Sequence, residues 1–411
     1  MASDVAAMFW FPDFALPLGA TINLRADDAL LFVLLARTMF WSPAPLSRGQ
    51  RAIFTWQTIF LVVCVFSLAL ESAQGSPPQA YDAAKMAGCA VIFFILPRVV
   101  QSETRLRFFV AGLMCAGLAL VIQVRQHLDA NGASGAANFQ QLKSAATFDT
   151  WNPNTIGQAA ILLVFAAGVG WIVFSSSPAN KILWPSLAAG FALVPAFVFV
   201  RGSTLSIAAG LALFLCLLRR WKSLLVFATA CLCLVLYVNA SHSPFWEQAS
   251  TLDVSTGEGL SSRFSRWGMA IQAIETKPLT GHGFGQELCY LTQIGSEGVA
   301  HDDYLTVWLE LGLGGLLLFL VVIFQFVRVG LQLCRKPQFQ RYGALILAVI
   351  AALCLDSLGL PTLYWEKLPT ITLSLAIALV GLCEVDEAAI SGSEVRAAAG
   401  RHAGQFSSAH F

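Results

Sequence analysis

The sequence predicts an all-α integral membrane protein of about 12 transmembrane helices, with a long extracytoplasmic loop carrying short helices between spans 9 and 10. Three observations predict it. Of 411 residues, 57% are hydrophobic and only 12% charged, where a soluble chain carries about a quarter charged residues. Mean hydropathy is +0.68. Apolar segments of about 20 residues recur along the chain, the length a helix needs to cross a bilayer core. A spanning chain must satisfy its backbone internally, by helices or a closed barrel. The alternating ten-residue strands of a barrel are missing, which leaves helices.

Apolar spans are read near 6–22, 26–42, 52–70, 82–100, 104–124, 154–175, 181–200, 203–219, 221–239, 303–329, 338–358 and 365–383. Pro12, Asp13 and Pro17 interrupt the first, which reads as a broken or re-entrant helix. No secretory leader pattern precedes it, so it is expected to be retained. Residues 1–383 form one polytopic domain, with outer loops near 125–153 and 240–302. Residues 384–411 are rich in Ala, Gly and Ser and predict a disordered tail.

Orientation follows from the short loops. Arg48, Arg51, Arg98, Arg105, Arg107, Lys181, Arg219, Arg220, Lys222, Arg328, Arg335, Lys336 and Arg341 all fall after even-numbered spans. That bias places those loops and both termini in the cytoplasm. A net charge of +1 points to no nucleic-acid partner. The ten cysteines form no CxxC pair or Cys/His cluster, so neither a disulfide framework nor a zinc site is expected.

Charges on the outer side break this pattern. Arg201 stands in "FVFVRGSTLSIAAG", in a turn too short to be a loop. Arg263 and Arg266 open an amphipathic segment, 263–276, whose stripe is Trp267, Ala270, Ile271 and Ile274. Each arginine taken alone reads as an interfacial anchor. Together they suit a diphosphate, which guanidinium groups bind in bidentate fashion. "GHGFG" (281–285) lacks the strand and the GK[ST] of a nucleotide loop and reads as a tight turn, with His282 a loop histidine. In "SEGVAHDDYLTVWLELGLGG", His301 lies at the mouth of span 10. Nearby carboxylates are expected to orient its ring and raise its basicity. Asp302 or Asp303 suits the helix N-cap, with Asp303 preferred and Asp302 unassigned. Glu310 lies about 10 Å into the helix and is expected to pair with an arginine. Gly312, Gly314 and Gly315 are expected to admit a neighbouring helix. The physics suggests transfer from a pyrophosphate-linked lipid to a hydroxyl, outside the cytoplasm, where nucleotide donors are lacking.

The ordered trio "RGSTLS", "SSRFSRWGMAIQAIETKPLTGHGFG" and "HDDYLTVWLELGLGG", over roughly 201–320, resembles the O-antigen ligase and polymerase family of bacterial inner-membrane proteins. The resemblance implies a metal-independent, inverting glycosyltransferase without cofactor, acting on glycans carried by undecaprenyl diphosphate. It implies diphosphate-binding roles for Arg201 and Arg263, with Arg266 an additional candidate, and an acceptor-activating role for His301. Family members often carry Asn where this chain has Asp302. "WNPNTIGQ" (151–158) resembles the start of an earlier family span and adds Asn154 as a supporting candidate. The acceptor divides a polymerase, preferred here, from a ligase that modifies lipid A core or protein. A chain-length regulator is a candidate partner. A transporter or flippase would also show about 12 spans, but no inverted repeat is read and the ionisable residues gather at one face rather than the midplane. A scaffold subunit of an export complex, with the arginines merely interfacial, is the blandest alternative.

Overall fold

A computed structural model of the protein describes residues 16–17, 23–24, 46–73, 80–130, 153–174, 177–197, 200–240, 260–296, 298–359, 362–364 and 366–407. Among these, the chain is helical except for a two-residue antiparallel pairing of β1 (Leu16–Pro17) with β2 (Asn23–Leu24). The helices are α1 (Arg48–Ala73), α2 (Ala80–Val99), α3 (Glu103–Ala130), α4 (Pro153–Val173), α5 (Pro178–Phe197) and α6 (Arg201–Leu217). They continue as α7 (Trp221–Ala240), α8 (Leu260–Thr276), α9 (Glu287–Gln293), α10 (Asp303–Cys334), α11 (Gln340–Asp356) and α12 (Lys367–Ser407).

Every apolar span read from residue 52 to residue 383 is therefore a helix. The first two spans lie outside the described residues, except that 16–17 and 23–24 are extended where the first was read as helical and just beyond it. Among the described residues, five helical stretches are long and apolar enough to cross a membrane: Arg48–Glu71, Glu103–Gln126, Asn154–Val173, Asp303–Cys334 and Lys367–Glu387. The tail reading is corrected in part, because α12 runs through Ser407 across the segment read as disordered. Its alanines favour helix strongly enough to extend the rod.

The bundle is organised around α4, which packs on α3, α5, α6, α11 and α12. Ile156, Ala159, Leu162, Leu163 and Ala166 are buried along it. Lipid tails are as apolar as leucine, so close packing rather than water exclusion must hold such helices together. Small residues supply it. A Cβ at Gly210 of α6 would stand 2.9 Å from the Ala348 carbonyl of α11. One at Gly343 of α11 would stand 2.5 Å from the Gly330 carbonyl of α10. At the basic end, Arg107 donates to the Val173 carbonyl closing α4 (3.1 Å), and Lys336 pairs with Glu387 (2.5 Å).

Helix α10 is two helices end to end. Gly312 breaks it with φ 68° and ψ −173°. The turn after α8 fills the break. His282 N–H donates to the Leu309 carbonyl (2.8 Å), Gly283 N–H to Glu310 (2.9 Å), and Leu313 N–H to Pro278 (2.9 Å). "GHGFG" thus completes the hydrogen bonding of an interrupted membrane helix, which an isolated kink would leave unsatisfied. The glycine expectation is corrected accordingly. A loop, not a helix, approaches Gly312, whose Cβ would sit 2.2 Å from the Leu279 carbonyl; Gly314 has nothing within 4 Å, and Gly315 meets only Leu311 of its own helix.

Candidate functional site

Helices α4, α6, α10 and α12 begin, and α1 and α11 end, at the end of the bundle opposite the basic loops. Asp356, the last residue of α11, ties several of these ends together. It is buried, with Oδ1 accepting from Ser203 Oγ of α6 (2.8 Å) and Oδ2 from Thr362 Oγ1 (2.9 Å). A Cβ on Gly157 of α4 would stand 2.3 Å from Ser203 Oγ, so the first turns of α4 and α6 touch. Asn154 lies in that first turn, at the same end as Arg201.

Arg201 is the exposed first residue of α6. Arg263 and Arg266 lie half-buried in the first two turns of α8. Arg201 and Arg263 repel one another, as do Arg263 and Arg266. Burial, then Arg266, holds the Arg263 guanidinium below its usual range, partly offset by attraction to Asp356. Arg263 also rests against Gly359: a Cβ there would be 2.8 Å from its Nη1. Among the described residues none of the three arginines has an ion-pair partner within 4.0 Å. The three sequence-predicted cations therefore converge from two segments far apart in the chain.

His301 joins them. It is half-buried, directly before α10, with a left-handed backbone at φ 55°. Burial first, then Arg266 and Arg263, lower its pKa from 6.5. Desolvation and like charge both disfavour the imidazolium, so the ring stays neutral near pH 7. The expectation that carboxylates orient the ring is corrected. Nδ1 is buried with no hydrogen-bond partner among the described residues.

The cap expected of Asp303 falls to Asp302 instead. Asp302 is the N-cap of α10, its Oδ1 accepting from Tyr304 N–H (2.9 Å) and Leu305 N–H (3.0 Å). Asp303 is fully buried, and its Oδ2 accepts the backbone N–H groups of Thr362 (2.8 Å), Leu363 (2.5 Å) and Tyr364 (3.3 Å). Asp302 has the extended backbone of a cap, φ −145° and ψ 113°, whereas Asp303 is already helical. Glu310 is buried, but its partners are Tyr364 Oη (2.9 Å) and the Glu287 N–H (3.3 Å); among the described residues no arginine pairs with it.

The α8 stripe is corrected at one position. Ala270, Ala273 and Ile274 are buried and Trp267 packs beside them, but Ile271 is exposed. Ile271 lies about 100° round the helix from Ala270, so Ala273 closes the stripe in its place. His282 is a structural histidine: buried, with Nε2 2.9 Å from the Ala273 carbonyl and its ring tilted at 35° against Tyr290, centroids 3.8 Å apart. Sequence reading missed Glu287 and Asp356. Glu287 stands in an unremarkable polar loop, and Asp356 ends an apolar span, where an acid at a membrane-helix terminus was the available signal.

Residues 187–320, from within α5 to the upper part of α10, match the family model described as O-antigen ligase. Over these residues the chain is similar to the O-antigen ligase family. This segment holds Arg201, Arg263, Arg266, His301, Asp302, Asp303 and Glu310. The match bears out the family resemblance and supports a membrane protein engaged in O-antigen-type glycan transfer. No curated protein matches the chain.

Proposed function

We propose that the protein transfers a glycan from undecaprenyl diphosphate to a hydroxyl acceptor at the extracytoplasmic face of the bacterial inner membrane. The observation that carries the reading is that Arg263 and Arg266 lie within electrostatic reach of His301, with Arg201 within reach of Arg263. Arg263 and Arg266 are half-buried, repel one another and have no ion-pair partner among the described residues, and a bound anion would relieve that repulsion, with the exposed Arg201 beside them. A diphosphate at a membrane surface meets that need. Helices α4, α6, α10 and α12 also begin at this end, and helix N-termini favour anions.

In the reaction, His301 takes the proton of the acceptor hydroxyl as that oxygen attacks the anomeric carbon. The new C–O bond forms as the bond from the anomeric carbon to the diphosphate oxygen breaks. The electron pair leaves with undecaprenyl diphosphate, whose charge the arginines stabilise without metal. A single displacement inverts the anomeric centre. A neutral imidazole among cations suits this task, because it accepts a proton only when uncharged. Asn154, Asp302, Asp303 and Glu310 hold the surrounding backbone rather than touch substrate.

The acceptor is a second lipid-linked glycan, which makes the protein a polymerase. Ligation to lipid A core is the second reading, favoured by the description of the matching family model. The test is a reconstituted assay with an undecaprenyl-diphosphate glycan and each acceptor in turn. Wild-type protein forms a glycosidic bond and His301→Ala does not. Normal transfer by His301→Ala would sink the base role, and movement of glycan across vesicles with no new bond would make the protein a transporter.

A further inference from the structure

We propose that Glu287 and Trp267 are positioning residues for His301, which they hold through both backbone groups of Ala300. The proposal rests on the reading of His301 as the base. The ring itself gives His301 no anchor, since among the described residues nothing bonds its buried Nδ1. Its direction must come from the backbone. Ala300, one residue earlier, is fully buried. Its N–H donates to Glu287 Oε1 at 2.8 Å, and its carbonyl accepts from Trp267 Nε1 at 3.0 Å. One residue later, Asp302 is pinned by its two capping bonds. His301 bridges two fixed points, and the bridge closes with φ at 55°, a conformation unusual for a residue with a Cβ.

The clamp is itself held. The Trp267 indole meets the Phe264 ring edge-on, with centroids 5.4 Å apart. Glu287 N–H reaches Glu310 Oε1 at 3.3 Å, and Glu310 Oε2 accepts from Tyr364 Oη at 2.9 Å. The Ala300 methyl sits with Ala270, Ala273, Leu291 and Leu309 in a small core between α8, α9 and α10. A buried acid is an expensive acceptor even for the two groups that reach it, the Ala300 N–H and the Thr306 side chain. Burial pushes Glu287 up to about 7, the direction that cost predicts. An ordinary turn would use a carbonyl or a hydroxyl. The expense is accounted for if the position of the next residue matters to chemistry, where small misplacements are costly.

The test compares Trp267→Phe, Glu287→Ala and Glu287→Gln with wild type and His301→Ala, in steady-state transfer by the purified full chain in nanodiscs. Trp267→Phe keeps the aromatic packing and removes one donor, so it decides the matter even if Glu287→Ala fails to fold. The expected result is a fall in kcat of about tenfold or more for Trp267→Phe and Glu287→Ala, with donor KM within about twofold. Glu287→Gln, whose amide oxygen accepts the same N–H, restores kcat to within about threefold of wild type. Unchanged kcat in Trp267→Phe, a parallel rise in KM, or a Gln variant as impaired as the Ala variant would each overturn the clamp. Clamp variants at full rate beside an inactive His301→Ala defeat the clamp alone. An active His301→Ala defeats the base reading beneath it.

Discussion

Replacing Gly312 by alanine should destabilise the protein severely, while the same change at Gly314, two residues on, should not. Gly312 has φ 68° and ψ −173°, a region that a residue with a Cβ enters at a cost of about 1–3 kcal/mol. The added Cβ would lie 2.2 Å from the Leu279 carbonyl oxygen and 2.7 Å from the Thr280 nitrogen, and backbone cannot rotate away as a side chain can. Retreat of the loop would break the bonds His282–Leu309, Gly283–Glu310 and Leu313–Pro278, at about 1 kcal/mol each. The sum is about 4–6 kcal/mol. Gly314 has nothing within 4 Å of its would-be Cβ, so alanine there should be neutral or stabilise by about 0.5–1 kcal/mol. Thermal unfolding of both variants in the same detergent measures the difference, and hydrogen exchange at residues 278–283 reports whether the loop has let go. Equal melting temperatures for the two variants would refute the interlocked helix and loop.

Further expectations concern the candidate site. Arg201→Lys should lose most transfer activity although it keeps the charge, because an ammonium cannot make the planar bidentate contact; wild-type rates would make Arg201 structural. The acid limb of kcat/KM should fall below pH 6.5, since burial, Arg266 and Arg263 lower the His301 pKa and activity needs the neutral ring. Removing a like charge raises that pKa, so Arg266→Gln should move the limb to higher pH whatever it does to the maximal rate. A limb that stays put or moves down would separate Arg266 from His301. Chelation of divalent ions should leave transfer intact, and loss in EDTA that a divalent ion restores would refute arginine-only charge stabilisation.

Hydropathy determined most of the fold, because each span is a local run long enough to be read without its neighbours. Residues 52 to 383 thus yielded every apolar helix, with ends within a few residues except at the C-terminal ends of α3 and α12. Local sequence also exposed Arg201, Arg263 and Arg266, which stand apart from the basic loops that follow the even-numbered spans, and His301 at the mouth of an apolar span. The partners of the acids were decided only by tertiary structure. Asp302 and Asp303 are adjacent and equally able to cap. The loop at Thr362–Tyr364, about 60 residues on, claims Asp303 and leaves the cap to Asp302. Glu310 meets Tyr364 for the same reason: hydrogen bonding is short-ranged in space and blind to sequence distance. Gly312 and Gly314 likewise look alike in the sequence. They part only because one faces a carbonyl from another segment and the other faces open space.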